Sequence, residues 1–175
     1  MIFTELKLKG AFIIELEKNE DERGFFARTW DKKEFEKLGL NSKLVQCSIS
    51  FNKKKGTLRG IHYQEVPYEE VKLVRCTKGK IFDVIVDLRQ ISKTFRQWMA
   101  IELNDENYKM IYIPKGFAHG FQTLENNTEV FYQMSQIYVP KHAKGLRWDD
   151  PTLGISWPIK TPIISNKDSS WELIR

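Results

Sequence analysis

Short runs of alternating hydrophobic and polar residues dominate this 175-residue chain. They recur roughly every 10 to 15 residues and are separated by turn sequences such as TKGK, NDEN, PKG and ENN. Because this spacing is typical of antiparallel β-structure rather than of βαβ units, we expect a sandwich or a barrel. The predicted strands are residues 11–17, 24–30, 44–51, 57–64, 71–76, 80–89, 97–103, 109–114, 120–125 and 128–139.

Two segments depart from this pattern. DKKEFEKLG, residues 31–39, is the one clear helix, and it begins at an aspartate N-cap and ends at Gly39. Residues 149–175 are rich in proline and tryptophan, so we expect them to wrap around the domain and to end in a short turn or helix. The chain has no internal repeat, low-complexity tract or linker, and a single domain over residues 1–175 is predicted.

Composition and charge narrow the function classes. The net charge is +5, but Lys and Arg are spread along the chain, whereas nucleic-acid binding needs them on one face. A basic pocket that binds an anionic small molecule is equally compatible with this charge. The N-terminal apolar runs are too short for a signal peptide, and no stretch reaches the roughly 20 apolar residues of a membrane span. Cys47 and Cys76 lack metal-type or redox-type spacing, so we expect a cytoplasmic protein without nucleic-acid or membrane partners.

Strand alternation predicts which side chains share a face. In LRGIHYQ, His62 lies with Leu58, Gly60 and Gln64. A histidine on such a face is most often a hydrogen-bonded core residue, so other parts of the chain must decide whether His62 has a chemical role.

A tight hairpin is predicted where TKGK joins the runs 71–76 and 80–89. With a two-residue turn, Lys72 and Asp83 become diagonal neighbours on one inward face. They could form a structural ion pair, but inward charges more often mark a site because burying charge is costly. The turn residues would be Lys78 and Gly79, and the facing pairs would be Cys76 with Ile81, Val74 with Asp83, and Lys72 with Ile85.

One hypothesis for the site is a metal centre. Its ligands would be His62, His119 and a carboxylate from Glu69 or Glu70. However, Gln64 stands where a second ligating histidine would be expected, two residues after His62. An open metal site needs three or four good ligands, so this hypothesis is the weaker one.

A second hypothesis is general acid–base catalysis without a metal. His62 would be the base, because imidazole titrates near neutral pH, and Tyr132 would be the acid opposite it. Lys72 would supply fixed positive charge for a developing oxyanion. The base needs an orienting carboxylate on its other ring nitrogen, and the spacing alone does not choose it. The candidates are Asp83, Asp149, Asp150 and Asp168.

A third hypothesis is a sugar- or nucleotide-binding barrel that catalyses nothing. Aromatic side chains would then provide stacking platforms, although core packing is the commoner role of any one of them. The candidates are Phe25, Phe26, Trp30 and Tyr138. A base and an acid on opposite walls of one pocket would separate an enzyme from such a binder.

Seven sequence blocks, taken in order, resemble the dTDP-4-dehydrorhamnose 3,5-epimerase family. The resemblance runs over nearly the whole chain, and TLRGIHYQ followed by KLVRC is its most specific part. The blocks are DERGFF (21–26), TLRGIHYQ (57–64), KLVRC (72–76), FDVIVDLR (82–89), IPKGFAHGF (113–121), RWDDPTLGISWP (147–158) and SNKD (165–168).

The resemblance implies an all-β, cupin-like antiparallel jelly roll with a few short peripheral helices. It implies a homodimer that exchanges N-terminal segments, no metal or organic cofactor, and a nucleoside-diphosphate 4-keto-6-deoxyhexose as substrate, dTDP-linked in the first instance. By position, His62 corresponds to the catalytic base and Tyr132 to the proton donor. Asp168, in SNKD, corresponds to the carboxylate paired with the base, and Lys72 to the residue that faces the C4 oxygen.

The resemblance also implies a set of substrate contacts, with Arg23 reaching the site of the partner subunit. Strict alternation would place Arg59 and His62 on opposite faces of their strand. If both contact ligand, Gly60 must lie at a bulge or twist. The implied substrate-binding residues are Arg23, Arg59, His119, Lys167, Gln46, Ser48, Tyr138, Phe26 and Arg28.

Four positions depart from the family pattern. Arg28 stands where glutamate is common and Ser48 where asparagine is common. Ala143 replaces a frequent glutamate, and Gln133 a usual lysine. Because the first three positions contact nucleotide or sugar in the family, another nucleotide, another 4-keto sugar or inversion of a single carbon remain alternatives. The predicted catalytic group is intact.

Overall fold

The computed structural model describes residues 1–174 and is built almost entirely from β-strands. Thirteen strands and two short helices lie within this range. They are β1 (Ile2–Glu5), β2 (Phe12–Glu15), β3 (Asn19–Asp21), β4 (Gly24–Phe26), α1 (Lys32–Lys37), β5 (Gln46–Asn52), β6 (Leu58–Gln64), β7 (Lys72–Lys78), β8 (Lys80–Asp87), β9 (Trp98–Asn104), β10 (Met110–Ile113), β11 (Phe117–Thr123), β12 (Thr128–Met134), β13 (Ala143–Gly145) and α2 (Asn166–Ser169).

The strands form two antiparallel sheets packed face to face. The first has the order β1-β2-β10-β7-β12-β5 and the second the order β13-β6-β11-β8-β9, while β3 and β4 form a separate hairpin. Neighbours in each sheet are mostly distant in sequence, as in a jelly roll. The predicted all-β, cupin-like jelly roll with few short helices is confirmed, and each predicted strand overlaps an observed one.

Alternation along the strands divides the apolar side chains into three layers. Ile81 and Ile85 of β8 pack against Val74 of β7 in the core between the sheets. Val84 and Val86, one residue out of phase, point to the other side of their sheet and pack against Trp157 of the C-terminal segment. That segment therefore covers the outer face of the five-stranded sheet, as the sequence predicts.

The predicted hairpin between β7 and β8 is wrong. β7 pairs with β10 and β12, whereas β8 pairs with β11 and β9 in the other sheet. The turn at Gly79, whose φ is 75°, carries the chain from one sheet to the other instead of closing a ladder. The expected pairs Cys76–Ile81, Val74–Asp83 and Lys72–Ile85 are consequently not strand neighbours. The inward direction predicted for Val74, Cys76, Ile81 and Ile85 is correct.

The predicted helix is confirmed as α1. The Asp31 carboxylate accepts hydrogen bonds from the backbone amides of Lys33 and Glu34, which is N-cap geometry. Phe35 is its buried residue, and its ring lies 5.9 Å from that of Tyr112 on the outer face of the six-stranded sheet. Among residues 1–174, no helix has the length and apolar character needed to cross a membrane.

Candidate active site

A cavity of about 500 Å³ opens between the two sheets. Strands of both sheets and the short helix α2 line it, so side chains distant in sequence face one another across it. It brings together ten of the predicted site residues: Gln46, Ser48, Arg59, His62, Lys72, His119, Tyr132, Tyr138, Lys167 and Asp168.

His62 and Asp168 form a hydrogen-bonded pair at one wall of the cavity. The His62 Nε2 atom lies 2.7 Å from Asp168 Oδ1, and the backbone amide of Gly60 donates to Asp168 Oδ2 at 3.2 Å. Burial alone would raise the pKa of Asp168, but the hydrogen bond and charge of His62 and the Gly60 amide together lower it. The carboxylate therefore stays ionised beside the imidazole and leaves Nδ1 as the ring nitrogen that can take a proton.

The other three candidate aspartates have different partners. Asp83 Oδ2 lies 2.8 Å from Nε2 of His119. Asp149 binds Arg147 at 2.7 Å, and Asp150 accepts the backbone amides of Thr152 and Ile174. The residue that the family pattern implies, Asp168, is the one placed against the predicted base.

A bulge at Gly60 turns both Arg59 and His62 toward the cavity. The pairing of β6 with β11 changes register between His119 and Phe121, which confirms the predicted irregularity. Gly60 has a φ of 136°, and a Cβ there would lie 2.5 Å from the Gly120 Cα. Only glycine fits this backbone at such close approach.

The bulge also corrects one prediction from alternation. Leu58 does not share the face of His62, because it packs with Ile61 and Trp157 on the outer side of the sheet. Gln64 does line the cavity with His62.

Lys72 reaches the same cavity from the six-stranded sheet. Its Nζ atom lies 3.0 Å from Glu70 Oε1 and donates to the His62 carbonyl oxygen at 3.3 Å. The alternative of a structural ion pair between Lys72 and Asp83 is not realised, since Lys72 binds Glu70 and Asp83 binds His119. An ammonium group is thus held beside the backbone of the predicted base.

Tyr132, on β12, faces His62 from the opposite sheet. Burial raises the pKa of its phenol, the nearby charge of Asp83 raises it further, and Arg59 opposes the shift. Its ring lies 5.9 Å from the ring of His119 in an edge-on arrangement. The phenol therefore keeps its proton at neutral pH.

The alternative metal centre is not assembled. Both histidines that it would require use Nε2 to bind a carboxylate, His62 with Asp168 and His119 with Asp83. Within residues 1–174, no group of three or more His, Cys, Asp and Glu side chains is placed to hold a metal ion.

Further polar and cationic side chains line the cavity where it opens to solvent. Arg59 donates from Nε to Asn52 at 2.8 Å, and Gln46 accepts the backbone amide of Tyr138 at 2.7 Å. The Lys167 ammonium lies 5.7 Å from the centre of the Trp171 ring. Arg59 and Lys167 thus line the cavity together with the aromatic side chains of Tyr138 and Trp171, and this combination is suited to an anionic, partly planar ligand.

Three predicted binding residues do not reach this cavity within the chain. Arg23 lies on the β3–β4 hairpin and binds Asp21 at 2.6 Å, while Arg28 binds Asp31 at 2.8 Å. Phe26 and Arg28 line a separate, smaller cavity near the N-terminus. Among the aromatic candidates for stacking, Phe25 packs against Tyr108 and Trp30 against Phe35, so Tyr138 is the one of the four that lines the large cavity.

Sequence reasoning did not name six of the residues that line the cavity, which are Ser50, Tyr63, Met134, Gln136, Lys144 and Trp171. Glu70 was considered only as a metal ligand, although it precedes Lys72 by two positions, a spacing that places both on one face of an extended chain. Trp171 follows Asp168 by three positions in the C-terminal segment, and Lys144 lies on β13, which is too short to show alternation.

A jelly roll whose cavity holds a histidine–carboxylate pair, a buried phenol and an ammonium group defines an acid–base enzyme of the cupin-like class. The family model for dTDP-4-dehydrorhamnose 3,5-epimerase matches residues 5–175. The chain belongs to this family, and the prediction of an isomerase that acts on carbohydrates is confirmed.

Individual relatives agree in sequence and in structure. The dTDP-4-dehydrorhamnose 3,5-epimerase of Methanothermobacter thermautotrophicus is 44% identical over an alignment of 177 positions, which covers 99% of this chain and 94% of that protein. The crystal structure of the Bacillus anthracis enzyme with TDP and PPi bound matches with a TM-score of 0.95 and 40% identity over 99% of both chains. The Legionella pneumophila enzyme in complex with dTDP-4-keto-L-rhamnose matches with a TM-score of 0.92 and 37% identity, over 98% of this chain and 92% of that one.

Proposed function

We propose that this chain inverts C3 and C5 of dTDP-4-dehydro-6-deoxyglucose to give dTDP-4-dehydrorhamnose. The observation that carries the proposal is the placement of His62 and Tyr132 on opposite sheets across one cavity. Inversion requires removal of a proton from one face of a carbon and its return to the other face. Two titratable groups on facing walls meet this requirement.

His62 is the base in this proposal. The C4 ketone acidifies the hydrogens on C3 and C5, because either carbanion delocalises onto the same oxygen. Neutral imidazole takes the proton, the C–H electron pair forms a C=C bond, and the carbonyl π electrons move to the C4 oxygen. Asp168, 2.7 Å from Nε2, stabilises the resulting imidazolium and fixes the ring. A positioned base of this kind contributes roughly 10²- to 10⁴-fold to the rate.

Lys72 is placed to stabilise the enolate oxygen. One ammonium group can serve both half-reactions, because deprotonation of C3 and of C5 puts the charge on the same atom. Its side chain is largely buried, and electrostatic stabilisation is stronger where water is excluded. Loss of such a donor costs about 3 kcal/mol of transition-state stabilisation.

Tyr132 completes the inversion as the acid. The phenol gives its proton to the carbanion carbon from the face opposite His62, and the enolate returns to the ketone. Solvent then reprotonates the phenolate and takes the proton from the imidazolium, so the site is reset for the second carbon. The raised pKa of Tyr132 suits this role because the group is protonated when each cycle begins.

The rest of the cavity fits the nucleotide part of the substrate. Arg59 and Lys167 are cations suited to a diphosphate, while Gln46, Ser48 and Tyr138 lie nearer the mouth. The family name and the relatives with TDP or a dTDP-sugar bound favour a dTDP-linked substrate. Neither metal nor organic cofactor takes part in this scheme.

We further propose a homodimer in which N-terminal segments are exchanged. Phe26 is 71% exposed, and neither it nor Arg23 contacts the cavity of its own chain. The edge strand β5 exposes Ile49 and Phe51 by 61% and 47%, which is a surface that a second copy would cover. Arg23, Phe26 and Arg28 would then bind substrate in the partner's cavity. A cytoplasmic location is proposed from the two free cysteines.

The proposed activity is tested by NMR in deuterated water with dTDP-4-dehydro-6-deoxyglucose. The wild-type chain should incorporate deuterium at C3 and C5 and form dTDP-4-dehydrorhamnose. H62A and D168N should lose exchange by roughly 10²- to 10⁴-fold, because one lacks the base and the other its counter-charge. Y132F should still exchange but invert slowly. H142A is the matched control, since His142 stacks on Tyr68 and does not line the cavity.

Several outcomes would contradict the proposal. Undiminished exchange in H62A would remove that residue as the base, and normal inversion by Y132F would require another acid. Faster turnover of a GDP- or CDP-linked substrate would contradict the assignment of dTDP as the nucleotide. Exchange at one carbon alone would show that the chain inverts a single centre.

A further inference from the structure

The cavity holds one acidic side chain to which the proposed mechanism gives no role. Glu70 lies just before β7 and lines the cavity beside Lys72. Only 10% of its side chain is exposed, against 12% for that of Lys72, and the two charged atoms are 3.0 Å apart. Because charges are costly to bury, a largely buried acid in contact with a proposed functional ammonium calls for an explanation.

The contacts of Lys72 define a direction. An ammonium group has three N–H donors and no acceptor. Two of its hydrogens have fixed acceptors, Glu70 Oε1 at 3.0 Å and the His62 carbonyl oxygen at 3.3 Å. The third is left for a group inside the cavity. Since one of the acceptors is the backbone of His62, this arrangement also fixes the ammonium relative to the proposed base.

We infer that Glu70 is a positioning residue that aims the Lys72 ammonium at the C4 oxygen of the substrate. This inference rests on the proposed function. A lysine side chain is flexible, and holding it in one direction before the substrate arrives avoids an entropic cost at the moment of reaction. Glu70 acts through its acceptor atom, and its negative charge alone is not sufficient.

Two substitutions separate acceptor position from charge. E70Q keeps an acceptor oxygen at the same distance from the backbone but removes the charge. E70D keeps the charge but withdraws the acceptor by one methylene. Positioning predicts that E70Q retains kcat within about threefold, whereas E70D loses roughly 10- to 100-fold, the size of effect expected when a reacting group is displaced by about 1 Å.

The experiment measures kcat, KM and the Kd for dTDP, with the thermal midpoint as a check on folding. KM and the dTDP Kd should change by less than about threefold in E70D, because the lost interaction acts in the transition state. E69Q and E69D are the matched controls, because Glu69 is the neighbouring acid and does not line the cavity. They should match wild type in all four measurements.

The inference is overturned if E70D keeps the wild-type kcat or if E70Q loses at least as much as E70D. The second result would assign the effect to charge. A fall in thermal midpoint without a selective loss of kcat would make Glu70 purely structural. A wild-type chain that fails to exchange deuterium refutes the proposed function and this inference together, so the two failures are distinguishable.

Discussion

Replacement of Gly60 by alanine tests the backbone geometry on which the site depends. Gly60 has a φ of 136°, a backbone conformation that residues with a Cβ rarely adopt. The new Cβ would lie 2.5 Å from the Gly120 Cα and 3.1 Å from the His119 carbonyl oxygen. Both are backbone atoms of the neighbouring strand β11, so neither can move without shifting the ladder.

The loss of folding free energy expected for G60A has two contributions. The backbone conformation costs roughly 1–3 kcal/mol for a residue other than glycine. Overpacking against fixed backbone adds about 1–3 kcal/mol. Their sum, about 2–6 kcal/mol, is a large part of the roughly 5–15 kcal/mol that stabilises an ordinary domain. G60A should therefore fold but with a much lower free energy of unfolding.

Urea unfolding at pH 7 measures this difference, and G24A is the matched control. Gly24 has a φ of 124°, and a Cβ there meets nothing within 4 Å. The G24A variant should therefore lose only the conformational contribution, about 1–3 kcal/mol. G60A should be destabilised by about 1–3 kcal/mol more, because its new Cβ also overpacks against β11. Equal destabilisation of the two variants would refute the close approach of β6 and β11 at the bulge.

Two further predictions concern assembly and acid stability. I49K places a charge on the surface that the dimer is proposed to cover, so it should convert the dimer to a monomer in light scattering. I91K, at a fully exposed loop position, should not. A wild-type chain that is monomeric would contradict the exchanged dimer. Burial would raise the pKa of Asp87, but hydrogen bonds from Arg89, Ser92 and Thr94 lower it from 3.8 to about 2. The stabilisation by Asp87 is thus complete above about pH 4 and is lost as the pH falls through about 2. In urea unfolding, the stability gap between wild type and D87N should narrow over that range, and a constant gap would contradict this assignment.

The strands of this fold were largely predictable because their alternation is local. The partners of the strands were not, and β7 and β8 show why. The inward residues Val74 and Ile81 are correctly predicted, yet they belong to different sheets. A glycine-containing turn looks the same in sequence whether it closes a hairpin or carries the chain across a sandwich. Strands β1, β3 and β13 were not predicted, and the sequences of β3 (NED) and β13 (AKG) contain no alternating apolar residues that would indicate a strand.

The site was predictable residue by residue, but its pairings were not. His62, Lys72 and Tyr132 follow from inward-facing chemistry on strands. The choice of Asp168 required the family pattern, because the contact joins residues 106 positions apart through an irregular segment. The ion pair of Lys72 with Glu70 was not predicted either, although the two residues are only two positions apart.

The attachment of the Asp168 carboxylate makes the proposed proton abstraction depend on the C-terminal segment as well as on the two sheets. It is carried by a helix of four residues, Asn166–Ser169, and the segment after it is anchored where Asp150 accepts the amide of Ile174. Such a segment can detach in a local opening that leaves both sheets closed. The imidazole of His62 would then lose its counter-charge while both sheets stay folded, so under the proposed mechanism we expect activity to fall at a lower temperature than the one at which the core melts.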